Sequence, residues 1–153
     1  MSCPTDVSST RACHCLAARR QAREITRIYE QRLRPHGLRA TQFSVLAALA
    51  IKGPTPVKEL AYVLGLERTT LTRVAAPLER DGFIRTDQAE DARVRPLRLT
   101  AAGRRKLEGA YPAWKEAQDL VDRRIAASDR RALSRASSRG TQFRDAPGGF
   151  VAE

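Results

Sequence analysis

Four side chains able to read the edge of a base pair, Arg68, Thr69, Thr72 and Arg73, stand close together in the middle of this chain, and three further cations, Lys58, Arg93 and Arg95, flank them. A guanidinium fork matches the O6 and N7 acceptors of guanine, and a threonine presents both a hydroxyl and a methyl to a major groove. A second group is sulfur and imidazole: Cys13-His14-Cys15 sets three soft donors in a row. Neighbours so close on a helix point to different faces, and His36 is the only other histidine, so zinc would lack its fourth ligand; no metal or other cofactor is expected. The chain has no glycine-rich phosphate loop, no Gly-x-Ser-x-Gly elbow and no His-Glu pair for a zinc hydrolase, and two histidines offer little general acid–base chemistry. An enzyme is not expected.

The elements that must carry the arginines are legible between Thr55 and Thr100. Pro56 suits the opening of a helix, Val57, Leu60, Ala61 and Leu64 recur at helical spacing, and Gly65 closes the run. A second helix follows, with Leu71, Val74 and Leu78 on one face and Arg68, Thr69, Thr72 and Arg73 elsewhere, ending at Gly82. Phe83 to Thr86 and Leu97 to Thr100 alternate like two short strands around a basic loop holding Asp91, Arg93 and Arg95. Helix, turn, helix and basic hairpin make a winged helix-turn-helix, whose second helix enters the major groove.

Around that centre the chain reads as helical. Residues 1–10 are polar and expected to be disordered. A helix is expected over about 11–34, with Ala18, Ala22, Ile25, Tyr29 and Leu33 as its apolar stripe, broken by Pro35-His36-Gly37. Thr41 is placed to cap the next helix, whose run of Phe43, Val45, Leu46, Leu49 and Ile51 predicts near-complete burial before Gly53-Pro54. After the wing, Thr100 is expected to cap a long helix reaching about residue 127, with Leu107, Tyr111, Trp114, Val121 and Ile125 on one seam, Gln118 as its polar member, and a bend at Pro112. From residue 134 to the end only Phe143 and the terminal Phe150 and Val151 relieve a run of Arg, Ser, Gly and Pro, too little apolar surface to offset ordering entropy. The resulting division is a disordered 1–10, one regulator domain over 11–133 and a disordered tail over 134–153.

Charge agrees with the motif. Lys and Arg total 28 against 17 acids, a formal charge of +11, mostly arginine, which implies a polyanionic partner. An anionic membrane would need a long apolar face, and no stretch supplies one; nor is there a hydrophobic signal core near Met1, so a soluble, cytoplasmic protein is expected. Three cysteines at one end make no disulfide framework. An RNA reading meets the deep, narrow major groove of the A-form helix, which admits no helix.

Several ordered motifs resemble the MarR family of bacterial transcription regulators over roughly residues 12–127. Gly37-Leu38-Arg39-Ala40-Thr41-Gln42-Phe43 is similar to the opening of the family's second helix. Thr70-Leu71-Thr72-Arg73 with Pro77-Leu78-Glu79-Arg80-Asp81-Gly82-Phe83-Ile84 resembles its recognition helix and exit. Asp91-Ala92-Arg93 with Leu97-Arg98-Leu99-Thr100-Ala101-Ala102-Gly103 resembles its wing signature, and Pro112-Ala113-Trp114 with Ala117-Gln118 its dimerisation helix.

The resemblance implies a mainly α fold with a small β-wing: a DNA-binding lobe over 41–100 and dimerisation helices over 11–36 and 101–127. It implies a homodimer on a pseudo-palindromic operator, with half-sites about one helical turn (roughly 34 Å) apart. Arg68, Thr69, Thr72 and Arg73 would then face bases, Arg93 and Arg95 enter the minor groove, Lys58 meet phosphate, and Asp91 hold the wing arginine. The family's usual effector is a small aromatic or phenolic anion, here with Ala18, Arg19, Tyr29, Phe43, Tyr111 and Trp114 as candidate lining; the same aromatics also suit plain core. The spacing from Cys15 to Tyr29 and Gly37-Leu38 is similar to that of the family's peroxide-sensing branch, which carries tyrosines where this chain has Arg19 and Phe43. A repressor released by a small aromatic ligand, a thiol-switched repressor using Cys15, and a winged-helix protein-interaction module without specific DNA binding are the three readings carried forward.

Overall fold

The computed structural model describes residues 7–87 and 95–125, and the division at 134–153 lies outside them, as do Asp91 and Arg93. A 3-10 turn over Ser8–Ala12 precedes the first helix, held by the Thr10 N–H and hydroxyl on the Val7 carbonyl at 3.0 and 2.7 Å. Of the stretch 1–10 expected to be disordered, residues 1–6 lie outside the described residues, and the serine and threonine run after them satisfies part of its backbone locally.

Helix α1 spans His14–Leu33. Ile28 and Leu33 are buried and Ile25 and Tyr29 half-buried, while every residue over 14–24 is exposed, Ala18 and Ala22 among them. Among the described residues the predicted stripe is thus buried only in its C-terminal half. Helix α2, Ala40–Lys52, buries Phe43, Val45, Leu46, Ala48 and Leu49, as its apolar run predicts. Its start is not capped by Thr41. The Arg39 N–H donates to Gln42 Oε1 at 2.9 Å and the Ala40 N–H to Glu30 Oε1 at 3.0 Å. A carboxylate from α1 therefore sits on the N-terminus of α2, where orphan donors and the helix dipole favour negative charge.

Thr55–Pro56 forms a short strand, β1, that the sequence reading assigned to the start of a helix. Helix α3 is Val57–Val63 with Pro56 before it, α4 is Arg68–Arg80, the wing strands β2 and β3 are Ile84–Thr86 and Pro96–Leu99, and α5 is Ala101–Arg124. The sheet is antiparallel in the order β1-β3-β2, with Thr55 opposite Leu97 and Ile84 opposite Leu99. Thr55 is buried, and its hydroxyl donates to the Gly53 carbonyl at 2.9 Å, so the polar group is satisfied.

Leu33, Leu46, Leu49, Leu60, Leu71, Leu78 and Ile84 meet in one core, which binds the winged lobe to the end of α1 and the start of α5. A smaller cluster of Ile28, Ala117 and Val121 zips α1 to α5 farther out. Thr100 caps α5 as expected: its Oγ1 accepts the Gly103 N–H at 3.0 Å. The helix continues through Pro112 to Arg124.

Tyr29 and Gln118 join across the α1–α5 seam, the phenol donating to Oε1 of the amide. Burial, with a smaller contribution from the Asp122 carboxylate, raises the Tyr29 phenol above its ordinary value of 10.0. The unfolded chain therefore ionises first, and this tyrosine's contribution is intact below pH 10 and lost as pH rises through the raised folded value. Tyr29→Phe should be less stable at neutral pH by about 1 kcal/mol, the worth of one net hydrogen bond. Its melting temperature should fall less steeply than the parent's above pH 10, followed by circular dichroism; parallel alkaline limbs would refute the linkage.

Candidate nucleic-acid interface

Helix α4 turns Leu71, Ala75 and Leu78 into the core and leaves Arg68, Thr69, Thr72 and Arg73 exposed. Among the described residues neither Arg68 nor Arg73 has an ion-pair partner, so both forks are open to a ligand. The Thr72 hydroxyl donates to the Arg68 carbonyl at 2.9 Å. Its proton is thereby engaged, while the side chain stays exposed.

The helix cannot turn independently of the wing. Gly82, at φ 75°, makes the left-handed exit that a side chain would strain. The Phe83 N–H then returns to the Leu78 carbonyl at 2.8 Å. Glu79, on the last turn of α4, accepts the Thr86 N–H at 2.9 Å and its hydroxyl at 2.7 Å, tying β2 to the helix.

Three residues at the base of the wing were not singled out from sequence. Arg85 and Arg98 are direct cross-strand partners, an arrangement that like charge alone would disfavour. Asp87 lies between them, taking Arg85 Nε on Oδ1 at 3.1 Å and Arg98 Nε on Oδ2. Its own N–H closes on the Pro96 carbonyl at 2.9 Å. The alternation of Ile84-Arg85-Thr86 and Leu97-Arg98-Leu99 already put both arginines on the outer face; only the register shows that they meet. Arg95 is exposed at the root of the wing and Lys58 in the first turn of α3.

A separate cavity lies between α2 and α5. Helix α2 contributes Phe43, Ala47, Ala50 and Ile51, and α5 contributes Leu107, Glu108, Tyr111 and Trp114. With its open mouth it measures about 640 Å³. Trp114 stacks on Phe43 with centroids 5.7 Å apart and on Tyr111 at 5.6 Å. Of the six residues expected to line an effector site, Phe43, Tyr111 and Trp114 line this cavity. Tyr29 stands behind, its ring tilted 6.4 Å from Trp114. Ala18 and Arg19 do not line it: they are exposed on the N-terminal half of α1, which extends past the body of the chain. Cys13 and Cys15 are exposed free thiols at the start of that helix. No helix among the described residues is long and apolar enough to cross a membrane.

A three-helix lobe with a two-stranded wing, an exposed Arg/Thr face on its second motif helix and a strong positive charge is a winged helix-turn-helix of the DNA-binding class. The MarR family profile matches residues 38–94. The Mycobacterium tuberculosis transcriptional regulator MosR superposes with a TM-score of 0.73 at 35% identity, over 84% of this chain and 96% of that one. MosR crystallised with DNA gives the same TM-score at 38% identity, over 82% and 94% of the two chains. An uncharacterised HTH-type regulator of Bacillus subtilis, YwoH, is 37% identical over 87 residues, 57% of this chain; the match spans 64% of YwoH's own length. The chain belongs to the MarR family of transcriptional regulators.

Proposed function

We propose that this protein is a sequence-specific DNA-binding repressor that acts in the cytoplasm as a homodimer and is released from its operator by a small aromatic ligand. The observation that carries the reading is the exposed face of α4, which presents Arg68, Thr69, Thr72 and Arg73, its two arginines without an ion-pair partner among the described residues. The MosR–DNA complex, a relative at 38% identity, supports a DNA partner. Lys58 and Arg95 flank that face on α3 and at the wing root, suited to phosphate and to the minor groove; Arg93, with Asp91 as its support, completes the set. The exposed 14–24 stretch of α1 supplies surface for a second protomer, whose two-fold axis would match a palindromic site. The α2–α5 cavity is lined by apolar and aromatic side chains, which suits a small aromatic ligand. Ligand and DNA would oppose one another reciprocally, each favouring a different spacing of the two α4 helices.

Fluorescence anisotropy on palindrome-bearing DNA upstream of the protein's own gene tests this. Specific binding with a steep salt dependence, reversed by an aromatic ligand, is the expected result. Specific-site affinity equal to that for random DNA would sink the repressor reading and favour a winged helix that binds protein. A thiol-gated repressor is the second reading, favoured by the exposure of Cys15. Release by mild peroxide, lost in Cys15→Ser, would replace the ligand with the thiol.

A further inference from the structure

We propose that Arg85 and Arg98, buttressed by Asp87, grip one phosphate of the DNA backbone at the root of the wing, with Asp87 as the positioning residue of the pair. The inference rests on the reading of the chain as a DNA-binding protein, and it requires neither an effector nor a thiol switch. Asp91, which resemblance assigns to wing support, lies outside the described residues, and this clamp is a different one.

Strand register sets Arg85 directly opposite Arg98, and both are exposed, each beside a buried neighbour in its strand, Ile84 or Leu97. Two like charges so placed repel one another. Asp87 converts the repulsion into order. Its side chain is only 19% exposed, and each oxygen takes the Nε of one arginine, Oδ1 that of Arg85 at 3.1 Å and Oδ2 that of Arg98. The Asp87 N–H is fixed in turn on the Pro96 carbonyl at 2.9 Å. A guanidinium held at Nε keeps N–H donors on its terminal nitrogens, so both forks can still take an anionic oxygen. Two guanidiniums against one carboxylate leave one net positive charge, the complement of one phosphate diester.

The place of the clamp in the fold names its partner. Thr86, between Arg85 and Asp87, is held by Glu79 on the last turn of α4 through both its N–H and its hydroxyl. The clamp therefore keeps a fixed station relative to the base-reading face of α4. A single sugar–phosphate strand separates a major groove from the minor groove beside it. A protein that lays α4 in the one and its wing in the other must cross that strand at the wing root, where the clamp stands. The contact then fixes register on the duplex and carries no sequence information.

The test is fluorescence anisotropy of the full chain on the operator and on a random duplex over a range of salt, with melting followed by circular dichroism. Arg85→Gln and Arg98→Gln alter exposed side chains, so both variants should fold. Each should weaken both DNAs about fivefold and lower the slope of log K against log salt by about 0.9, the counterions of one phosphate. Asp87→Asn separates positioning from charge. Removing an acid beside DNA strengthens binding if charge alone acts. Here it should weaken both DNAs about threefold, because two released arginines must be ordered again on binding. In the Arg85→Gln/Arg98→Gln background the same Asp87→Asn change should weaken neither DNA, since nothing is left to position. Unchanged salt slopes in the arginine variants, tighter binding by Asp87→Asn, or an equal loss from Asp87→Asn with and without the arginines would each overturn the proposal. Equal affinity for operator and random DNA would remove the repressor reading, while slopes that still fall in the arginine variants would support the clamp. A parent chain that binds no DNA overturns both.

Discussion

Gly103→Ala is expected to destabilise the protein by about 3 kcal/mol or more, because the added carbon meets backbone that cannot yield. A Cβ at that position would stand 1.9 Å from the Phe83 carbonyl oxygen and 2.8 Å from the Leu99 side chain. The contact is tight for a structural reason. Phe83 O accepts the Thr100 N–H at 3.1 Å, the Thr100 hydroxyl lies 2.7 Å from Gly82 O, and Thr100 Oγ1 accepts from the Gly103 N–H. The first turn of α5 is thus pressed onto the exit of the recognition helix, and room for a side chain would require parting the two. For a domain of this size the loss amounts to a fall of about 10 °C in melting temperature. Gly109 is the internal control: it lies in the same helix with nothing within 4 Å of the Cβ position. Gly109→Ala should instead raise stability by about 0.5–1 kcal/mol, the difference in helix propensity. Equal effects at the two positions would show that the Phe83 contact does not matter.

Gly103 also marks the boundary of what sequence alone could yield. Its place in Leu97-Arg98-Leu99-Thr100-Ala101-Ala102-Gly103 was recognisable as part of a wing signature, and Thr100 was legible as a cap because capping is local. The helices were legible for the same reason: burial at steps of three and four writes Leu60, Leu71, Leu78 and Leu46 into the sequence directly. What escaped depended on pairing between distant segments. Thr55–Pro56 has no strand pattern of its own and becomes β1 only by lying against Leu97 and Pro96. The cap on α2 comes partly from Glu30 on another helix, beside a local contact of Arg39 with Gln42, and not from Thr41. Asp87 clamps Arg85 and Arg98, a constellation assembled by strand register.

The lining of the α2–α5 cavity shows the same division. Phe43 and Trp114 converge because each lies on the apolar face of its own helix, which periodicity displays, with Tyr111 more exposed beside them. Ala18 shares the apolar stripe of α1 with Tyr29, and Arg19 adjoins it, but the described residues offer no partner that buries that half of the helix. Periodicity tells which face of a helix is apolar and not how far along it another element reaches.

Arg73→Ala and Lys58→Ala should both weaken binding to the operator, and they should do so in distinguishable ways. Arg73 is exposed on α4 beside Thr69 and Thr72, where a fork can address a guanine in the major groove. Its removal should cost about 1–3 kcal/mol, roughly tenfold to more than a hundredfold in affinity, and relax discrimination at one base pair per half-site. Non-specific DNA should be bound nearly as before. Lys58, exposed at the start of α3, offers a point charge suited to phosphate. Lys58→Ala should weaken specific and random DNA alike and lower the slope of log K against log salt by about one. Neither side chain touches the core, so both variants should melt with the parent. The comparison is made by anisotropy on the operator, a set of single-base operator variants and random duplex over a range of salt. An Arg73→Ala variant that loses random and operator DNA equally would make that arginine a backbone contact and move base readout to Arg68. In that geometry α4 would lie in the groove with its first turn, and not its middle, against the bases, as recognition helices that present their N-terminal residues do.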